Sequence, residues 1–150
     1  MKLLFWVLLS CCCALSYGYH EKQEIPNQLN SLLTGKWTSK QVQVQYIVDS
    51  HLVHEEKLTV EKGKAYIFDK TSVRVEYQGG TTALGSYKVM LEEERKKIAL
   101  DLPGNSTTYS LIAITPTSMV WQKDLEDTYY YEGFTRKSAE RAIYTEEFVR

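Results

Sequence analysis

Aromatic side chains are the residues whose number and spacing most suggest a chemical role in this chain. It has 11 tyrosines, 4 phenylalanines and 3 tryptophans among 150 residues. A tyrosine combines a hydrophobic ring with a hydroxyl group that needs a partner, which suits a pocket for an amphipathic ligand. The same rings could instead fill a core, and the sequence leaves both interpretations open. Eight aromatic residues are the candidate ligand-binding residues: Tyr46, Tyr66, Tyr77, Tyr87, Tyr109, Trp121, Tyr129 and Tyr131.

Patterns that would indicate catalysis or metal binding are weak. His51 and His54 would lie on opposite faces of a strand, so we expect a solvated hairpin there and no metal site. The chain has no Gly-x-Ser-x-Gly motif and no cysteine after residue 13, which argues against a nucleophilic triad. The paired carboxylates of Glu146 and Glu147 are expected to face water. We therefore expect a protein that is not an enzyme and has no cofactor.

Residues 1–18 have the pattern of a signal peptide. Lys2 precedes a short apolar run that is followed by small residues, and this run is too short to span a bilayer of about 30 Å as a helix. The tetrad LLSC at residues 8–11 resembles a bacterial lipoprotein box, in which Cys11 would carry the lipid. The alternative is that a signal peptidase removes the leader and the protein is secreted without an anchor. Either route predicts an exported protein of the periplasm, the outer membrane or the exterior, with membrane contact only through such an anchor.

Charge and cysteine content exclude several classes of protein. The formal net charge is −1 and the chain shows no basic stripe, so nucleic acid is not an expected partner. All three cysteines lie at residues 11–13, so the folded domain has no disulfide framework and no thiolate zinc site. A chain of this length predicts a single domain.

Short alternating segments separated by turn residues dominate residues 42–134. Val42, Val44 and Tyr46 alternate with glutamines, as expected for strands with one dry face and one wet face. About eight or nine such strands favour an up-and-down antiparallel barrel, because closure removes the exposed edges. The predicted turns are Asp49-Ser50, Lys62-Gly63, Asp69-Lys70, Gly79-Gly80, Glu93-Glu94, Pro103-Gly104-Asn105, Thr115-Pro116 and Asp124 to Asp127.

The segments that flank these strands complete the predicted organisation. Residues 19–28 are polar and predict a tether, and leucines at 29, 32 and 33 predict a helical turn that precedes the strands. The barrel domain is predicted over residues 29–137. Residues 138–150 predict either a short helix capped by Ser138 or a frayed tail.

Two short motifs resemble those of a known family. The segment LLTGKW at residues 32–37 resembles the Gly-x-Trp opening of lipocalins and of the smaller bacterial lipocalin-like domains, and Gly85-Ser86-Tyr87 is similar to the opening of a mid-chain strand in these domains. The resemblance covers about residues 29–137 and implies a lipocalin-like barrel.

The resemblance also implies a structural motif made of Gly35, Trp37 and Arg136. In lipocalins a basic residue from the end of the barrel covers the tryptophan of the first strand, and Arg136 is the residue that the resemblance proposes for Trp37. In a regular strand, Trp37 would lie on the same face as Gln41 and on the opposite face from Val42 and Val44. A bulge or bend between Thr38 and Gln41 is therefore needed for the indole to point inward.

Two functional hypotheses follow. The first is a binding protein that holds a small apolar or amphipathic ligand in the barrel. The alternative is an envelope interaction protein, or a barrel that inhibits a protease, with a filled core and no ligand. The size of an internal apolar cavity discriminates between them. The sequence specifies neither the ligand nor a protein partner.

Overall fold

The computed structural model describes residues 26–59 and 64–150. The predicted signal peptide, most of the tether and the turn at Lys62-Gly63 lie outside the described residues. The described residues form one helix, over residues 26–33, and nine strands. The strands are β1 (Gly35–Val48), β2 (His51–Thr59), β3 (Ala65–Asp69), β4 (Ser72–Glu76), β5 (Thr82–Glu92), β6 (Arg95–Leu102), β7 (Asn105–Ile114), β8 (Ser118–Glu132) and β9 (Thr135–Val149).

Eight of these nine strands close into an antiparallel barrel. Strands β3 to β9 follow one another around the barrel, and β1 completes it by pairing with both β3 and β9. Strand β2 is a ninth strand that pairs with the second half of β1. The predicted up-and-down barrel of about eight or nine strands is therefore confirmed.

Strand β1 contains the predicted bend. Ser39 pairs with Phe148 and Gln41 pairs with Glu147, so Lys40 is an additional residue in β1 at this point. A bulge of this kind changes which residues face the core. It allows the fully buried Trp37 and the inward valines of the second half of β1 to lie on one face.

Tight hairpin turns lie where turn chemistry predicts them. Asp49 and Ser50 have φ values of 48° and 63°, and Glu93 and Glu94 have φ values of 48° and 64°. Two successive residues with positive φ are typical of type I′ turns, whose twist matches that of the flanking strands. These two turns are confirmed.

The predicted break at Asp124 to Asp127 is wrong, because this segment lies inside β8. Asp127 has a φ of 47°, a local irregularity that does not end the strand. The hairpin between β8 and β9 turns instead at Gly133-Phe134, where Gly133 has a φ of 62°. Acidic residues favour turns, but here the pairing of residues 124–126 and of Thr128 with β9 outweighs that preference.

The prediction of a helix or tail over residues 138–150 is also wrong, as is the end of the barrel at residue 137. These residues belong to β9, which pairs with both β8 and β1. Tyr144 and Phe148 are four residues apart, a spacing that fits one face of a strand as well as one face of a helix. The helix likewise begins by residue 26, so the last residues of the predicted tether, 26–28, are helical.

The helix closes the end of the barrel at which β1 begins. Leu29 and Leu33 are 4% and 0% exposed and join the barrel core. Burial of each leucine side chain stabilises the fold by about 1.5–3 kcal/mol. The predicted helical turn before the barrel is confirmed. Within the described residues, no helix is long and apolar enough to cross a membrane.

A four-stranded extension continues beyond the barrel. It is formed by β2, the second half of β1, the first half of β9 and the second half of β8. A second core of Tyr46, Tyr130, Ala139 and Ala142 lies on one face of it. His54 stacks on Tyr130 with ring centroids 4.8 Å apart. The β1–β2 hairpin is exposed at His51, as expected, whereas the His54 ring is half-buried against aromatic neighbours.

Candidate functional site

A buried carboxylate lies inside the barrel at the end where β3 begins, which we call the mouth. Glu146 is 1% exposed. Its Oε2 accepts hydrogen bonds from Trp121 Nε1 at 3.2 Å and from the Tyr144 hydroxyl at 2.9 Å. Lys64 Nζ lies 3.8 Å from the same oxygen. The expectation that Glu146 faces water is wrong, because alternate residues of β9 face the interior.

Two tyrosines pack around the same tryptophan. The ring of Tyr109 stacks on Trp121 with centroids 4.3 Å apart, and the ring of Tyr66 meets Trp121 edge-on at 4.9 Å. Burial raises the pKa of Tyr109 to about 12, and the carboxylate of Glu146 contributes to this rise. Burial, followed by Glu146, also raises the pKa of Tyr66 far above its ordinary value. Both phenols therefore remain protonated at neutral pH.

Two lysine ammonium groups lie over these rings. Lys64 Nζ is 4.7 Å from the ring centroid of Tyr66, and Lys123 Nζ is 5.4 Å from that of Tyr109 and 5.3 Å from that of Tyr144. Burial lowers the pKa of Lys64, Lys123 lowers it further, and Glu146 opposes the shift. We call Lys64, Tyr66, Tyr109, Lys123, Tyr144 and Glu146 the mouth cluster.

Ser39 lies in the wall beside the cluster. Its backbone N–H donates to the Lys64 carbonyl oxygen at 3.0 Å, and it pairs across the sheet with Phe148. The residue is 2% exposed, and its hydroxyl has no partner among the described residues. A buried hydroxyl without a partner costs about 1–3 kcal/mol, so Ser39 is a polar position that packing alone does not explain.

The mouth brings together three of the eight candidate ligand-binding residues, Tyr66, Tyr109 and Trp121. Tyr77 follows β4 directly and is 40% exposed, so it lies at the rim. It lines a surface groove of about 410 Å³ that also includes Ala65 at the start of β3. These four residues can contribute to one site.

The other four candidates lie elsewhere. Tyr87 is 7% exposed and packs edge-on against Phe68, and its hydroxyl has no partner among the described residues. Tyr46 belongs to the second core in the extension. Tyr129 and Tyr131 are exposed on β8 of that extension. The eight aromatic residues therefore do not form one site, and their role in binding stays a prediction.

Sequence reasoning missed Lys64, Lys123, Tyr144 and Glu146, four of the six residues of the mouth cluster. The period of two in Ala142, Tyr144, Glu146 and Phe148 is the signal that could have found the last two. Lys64 lies just before β3, and nothing in its local sequence distinguishes it from a surface lysine.

The predicted stacking of Arg136 on Trp37 is wrong. Arg136 lies over Tyr129 instead, with its Cζ 3.9 Å from the ring centroid. Arg150 covers Trp37 at 4.2 Å. The final strand extends to Val149, so the arginine that reaches the helical end of the barrel is the one that follows this strand. Gly35, with a φ of 122°, lies against the Arg150 side chain, as expected for a structural motif at the start of β1.

The barrel interior below the mouth is packed. Large side chains there are less than 2% exposed: Trp37, Tyr66, Phe68, Trp121 and Phe148. The surface grooves identified on the described residues have volumes of about 260–410 Å³ and open to solvent. Within the described chain, the room for a ligand therefore lies in these surface grooves, one of which includes Tyr77 at the rim, rather than in the middle of the barrel.

Comparisons with known proteins complete this description. Neither protein-family profiles nor curated proteins give a match to the chain. Among solved structures, the chain is similar to a lipocalin-like protein from Bacteroides uniformis ATCC 8492 at 21% sequence identity. That match covers 79% of this chain and 98% of the other, with a TM-score of 0.44.

Proposed function

We propose that this protein binds a small apolar or amphipathic molecule at the mouth of the barrel. The observation that supports this most directly is the burial of Glu146 beneath aromatic rings and two lysines. Glu146 is paired with Lys64, and replacing a buried ion pair by apolar residues is often neutral or stabilising, so stability alone gives little reason to retain the pair. Its position at an end of the barrel favours a role in binding.

The mouth cluster has the composition of a small-molecule site. The rings of Tyr66 and Tyr109 form the apolar part of the cluster, and the Ser39 hydroxyl beside it is a buried polar group without a protein partner among the described residues. Small-molecule sites are mostly apolar with a few polar groups that fix orientation. The groups that contact Glu146 hold its carboxylate in place, so we propose binding without catalysis.

A titration with the neutral fluorescent probe N-phenyl-1-naphthylamine tests this proposal. We expect saturable binding by the unaltered protein and weaker binding by Tyr77→Ala, which removes an aromatic ring from the rim. Tyr129→Ala is the matched control, because it removes a similarly exposed tyrosine from the extension. If Tyr77→Ala and Tyr129→Ala bind the probe with equal affinity, or if the unaltered protein shows no saturable binding, binding at the mouth is contradicted.

We also propose that the protein is exported. The support is the leader-like composition of residues 1–18 and the LLSC tetrad at residues 8–11. In a bacterial host, Cys11→Ala should move the protein from the membrane fraction to the soluble fraction if Cys11 is lipidated. A soluble unaltered protein with an N-terminus produced by ordinary cleavage would instead support free secretion. Recovery of the intact chain in the cytoplasm would contradict export.

A second candidate function is binding to another protein through the extension. Tyr129, Tyr131 and Phe134 are 46%, 53% and 106% exposed, and Arg136 stacks on Tyr129. Tyrosine and arginine are enriched among the residues that dominate protein interfaces. If Tyr131→Ala abolishes binding to a protein partner and Tyr77→Ala does not, this function is favoured over binding at the mouth.

A further inference from the structure

The aromatic part of the mouth cluster is closed off from the surface. Tyr66, Tyr109 and Glu146 are all buried, whereas the groove that Tyr77 lines opens to solvent. A molecule in that groove cannot reach the buried phenols while the rim keeps its present arrangement. Binding at the mouth, the proposed function on which this inference rests, therefore requires one element of the rim to move.

The β4–β5 hairpin is the described rim element that its neighbours hold least. Strands β1, β8 and β9 continue beyond the mouth and stay paired in the extension. Strands β6 and β7 pair up to Leu102 and Asn105, so their turn has only two residues. Strands β4 and β5 pair up to Glu76 and Thr82, which leaves residues 77–81 between them. Among the described residues, this is the longest connection at the mouth.

The tip of the hairpin contains two glycines with free space around them. Gly79 and Gly80 have φ values of 97° and 87°. A Cβ added to either glycine would have no described atom within 4 Å outside the adjacent residues. The Tyr77 N–H donates to the Thr81 carbonyl oxygen at 2.9 Å, so this hydrogen bond lies within the hairpin. Because glycine adopts positive and negative φ at similar cost, the loop can change conformation without losing contacts to the barrel.

Tyr77 extends from the base of this hairpin over the mouth. Val73 and Val75 on β4 are fully buried, so the alternation of side chains directs Tyr77 to the same, inner side. Burial is the main cause of the raised pKa of Tyr66 and of Tyr109, and the nearby Tyr77 hydroxyl contributes to both rises. Tyr77 also lines the outer groove of about 410 Å³. Its side chain therefore lies between this groove and the two buried phenols.

We propose that the β4–β5 hairpin is a lid and that the ring of Tyr77 closes the mouth. When residues 77–81 change conformation, the ring swings outward and the groove becomes continuous with Tyr66 and Tyr109. The ligand enters from the groove, and the ring returns over it. A lid of this kind controls the rates of binding and release.

Stopped-flow fluorescence with N-phenyl-1-naphthylamine measures the association and dissociation rate constants separately. Tyr77→Ala removes the ring that closes the mouth, so association should become at least about threefold faster. Dissociation should accelerate by a larger factor, because the bound probe also loses a contact. Tyr77→Phe keeps the ring, and both of its rate constants should stay within about twofold of those of the unaltered protein. A side chain that only contacts the bound probe would change dissociation alone.

The outcomes separate the lid from the proposed function. If Tyr77→Ala binds the probe but associates no faster than the unaltered protein, the lid is overturned and binding at the mouth stands. If Tyr77→Phe associates as fast as Tyr77→Ala, closure by the ring is overturned. If the unaltered protein shows no saturable binding, the proposed function fails and the lid fails with it.

Glycine substitutions test the hairpin without removing a side chain. Gly79→Ala combined with Gly80→Ala disfavours the two positive φ values of the closed loop, so association should again be at least about threefold faster. Gly104→Ala is the matched control, because Gly104 has a φ of 75° and the same free space but lies in the β6–β7 turn. Its association rate constant should equal that of the unaltered protein. An unchanged rate in the double variant, or an equal acceleration in Gly104→Ala, would overturn the lid.

Discussion

The guanidinium group of Arg150 lies over the indole of Trp37, with its Cζ 4.2 Å from the ring centroid. Nη2 of Arg150 also donates to the backbone oxygens of Leu32 and Thr34 at 2.8 and 2.7 Å. The indole N–H of Trp37 donates to the carbonyl oxygen of Leu33 at 2.7 Å. One arginine that follows the last strand therefore joins the helix to the start of the barrel and closes this end.

A double-mutant cycle tests the coupling between these two residues. Arg150→Ala should lower the free energy of unfolding by about 1–2 kcal/mol through lost stacking and hydrogen bonds. The effect should be clearly smaller in a Trp37→Phe background, by at least about 0.5 kcal/mol. Urea unfolding measures both. Arg136→Ala is the control, and its change in unfolding free energy should simply add to that of Trp37→Phe. If the changes for Arg150→Ala and Trp37→Phe also add, the stacking does not stabilise the fold.

Gly85 tests how closely β5 approaches β6. A Cβ added to Gly85 would lie 2.1 Å from the carbonyl oxygen of Asp101, a backbone atom that cannot move without shifting the strand. Gly85→Ala should therefore destabilise the protein by about 3 kcal/mol. Ser86→Ala, at the exposed neighbouring position, should stay within about 0.5 kcal/mol of the unaltered protein. Thermal unfolding measures the stability of both variants. If Gly85→Ala is as stable as the unaltered protein, the close approach of the two strands is contradicted.

Glu146 and Glu147 are adjacent, but they face opposite sides of β9. Glu146→Ala removes the acceptor of the Trp121 and Tyr144 hydrogen bonds, so we expect a loss of about 2–4 kcal/mol in unfolding free energy. Glu146→Gln keeps an acceptor and should cost less. Glu147→Ala is the matched control and should have little effect. Similar unfolding free energies for the two alanine variants would contradict the burial of Glu146.

Alkaline pH should destabilise the protein through its buried tyrosines. Burial raises the pKa of Tyr109 to about 12, compared with about 10 for an unfolded tyrosine. The folded state therefore favours the protonated phenol. This contribution is fully present below pH 10 and is lost between about pH 10 and 12. Tyr109→Phe should make the fall in unfolding free energy over this interval shallower by up to about 1.4 kcal/mol per pH unit. An unchanged slope in urea unfolding at several pH values would contradict the burial of this hydroxyl.

The barrel could be predicted from the sequence because its signals are local. Alternation along single strands and positive-φ turn residues such as Asp49-Ser50 act over a few positions. The alternation of side chains also predicted a bulge or bend between Thr38 and Gln41, and the bulge lies there, at Lys40. The last strand was missed because the four-residue spacing of Tyr144 and Phe148 fits a helix and a strand equally well. Pairing with β1 and β8 decides between them, and pairing between distant segments is not visible in a local pattern.

The mouth cluster could be predicted only in part. Tyr66 and Tyr109, and the neighbouring Trp121, were candidates because aromatic rings are conspicuous in any sequence. Glu146 was predicted to lie at the surface because of its residue type, since glutamate is seldom fully buried without a partner. Lys64 and Glu146 are far apart in the sequence, and only the closure of the barrel brings them within 3.8 Å.

The proposal of binding at the mouth is tested most directly by nuclear magnetic resonance of the isotopically labelled protein during titration with N-phenyl-1-naphthylamine. We predict that the largest chemical-shift changes occur in the mouth cluster and at Ser39 and Tyr77. The buried leucines of the helix, Leu29 and Leu33, lie at the opposite end of the barrel and should not shift. Shifts confined to the extension around Tyr129 and Tyr131, or shifts centred on the helical end, would contradict binding at the mouth.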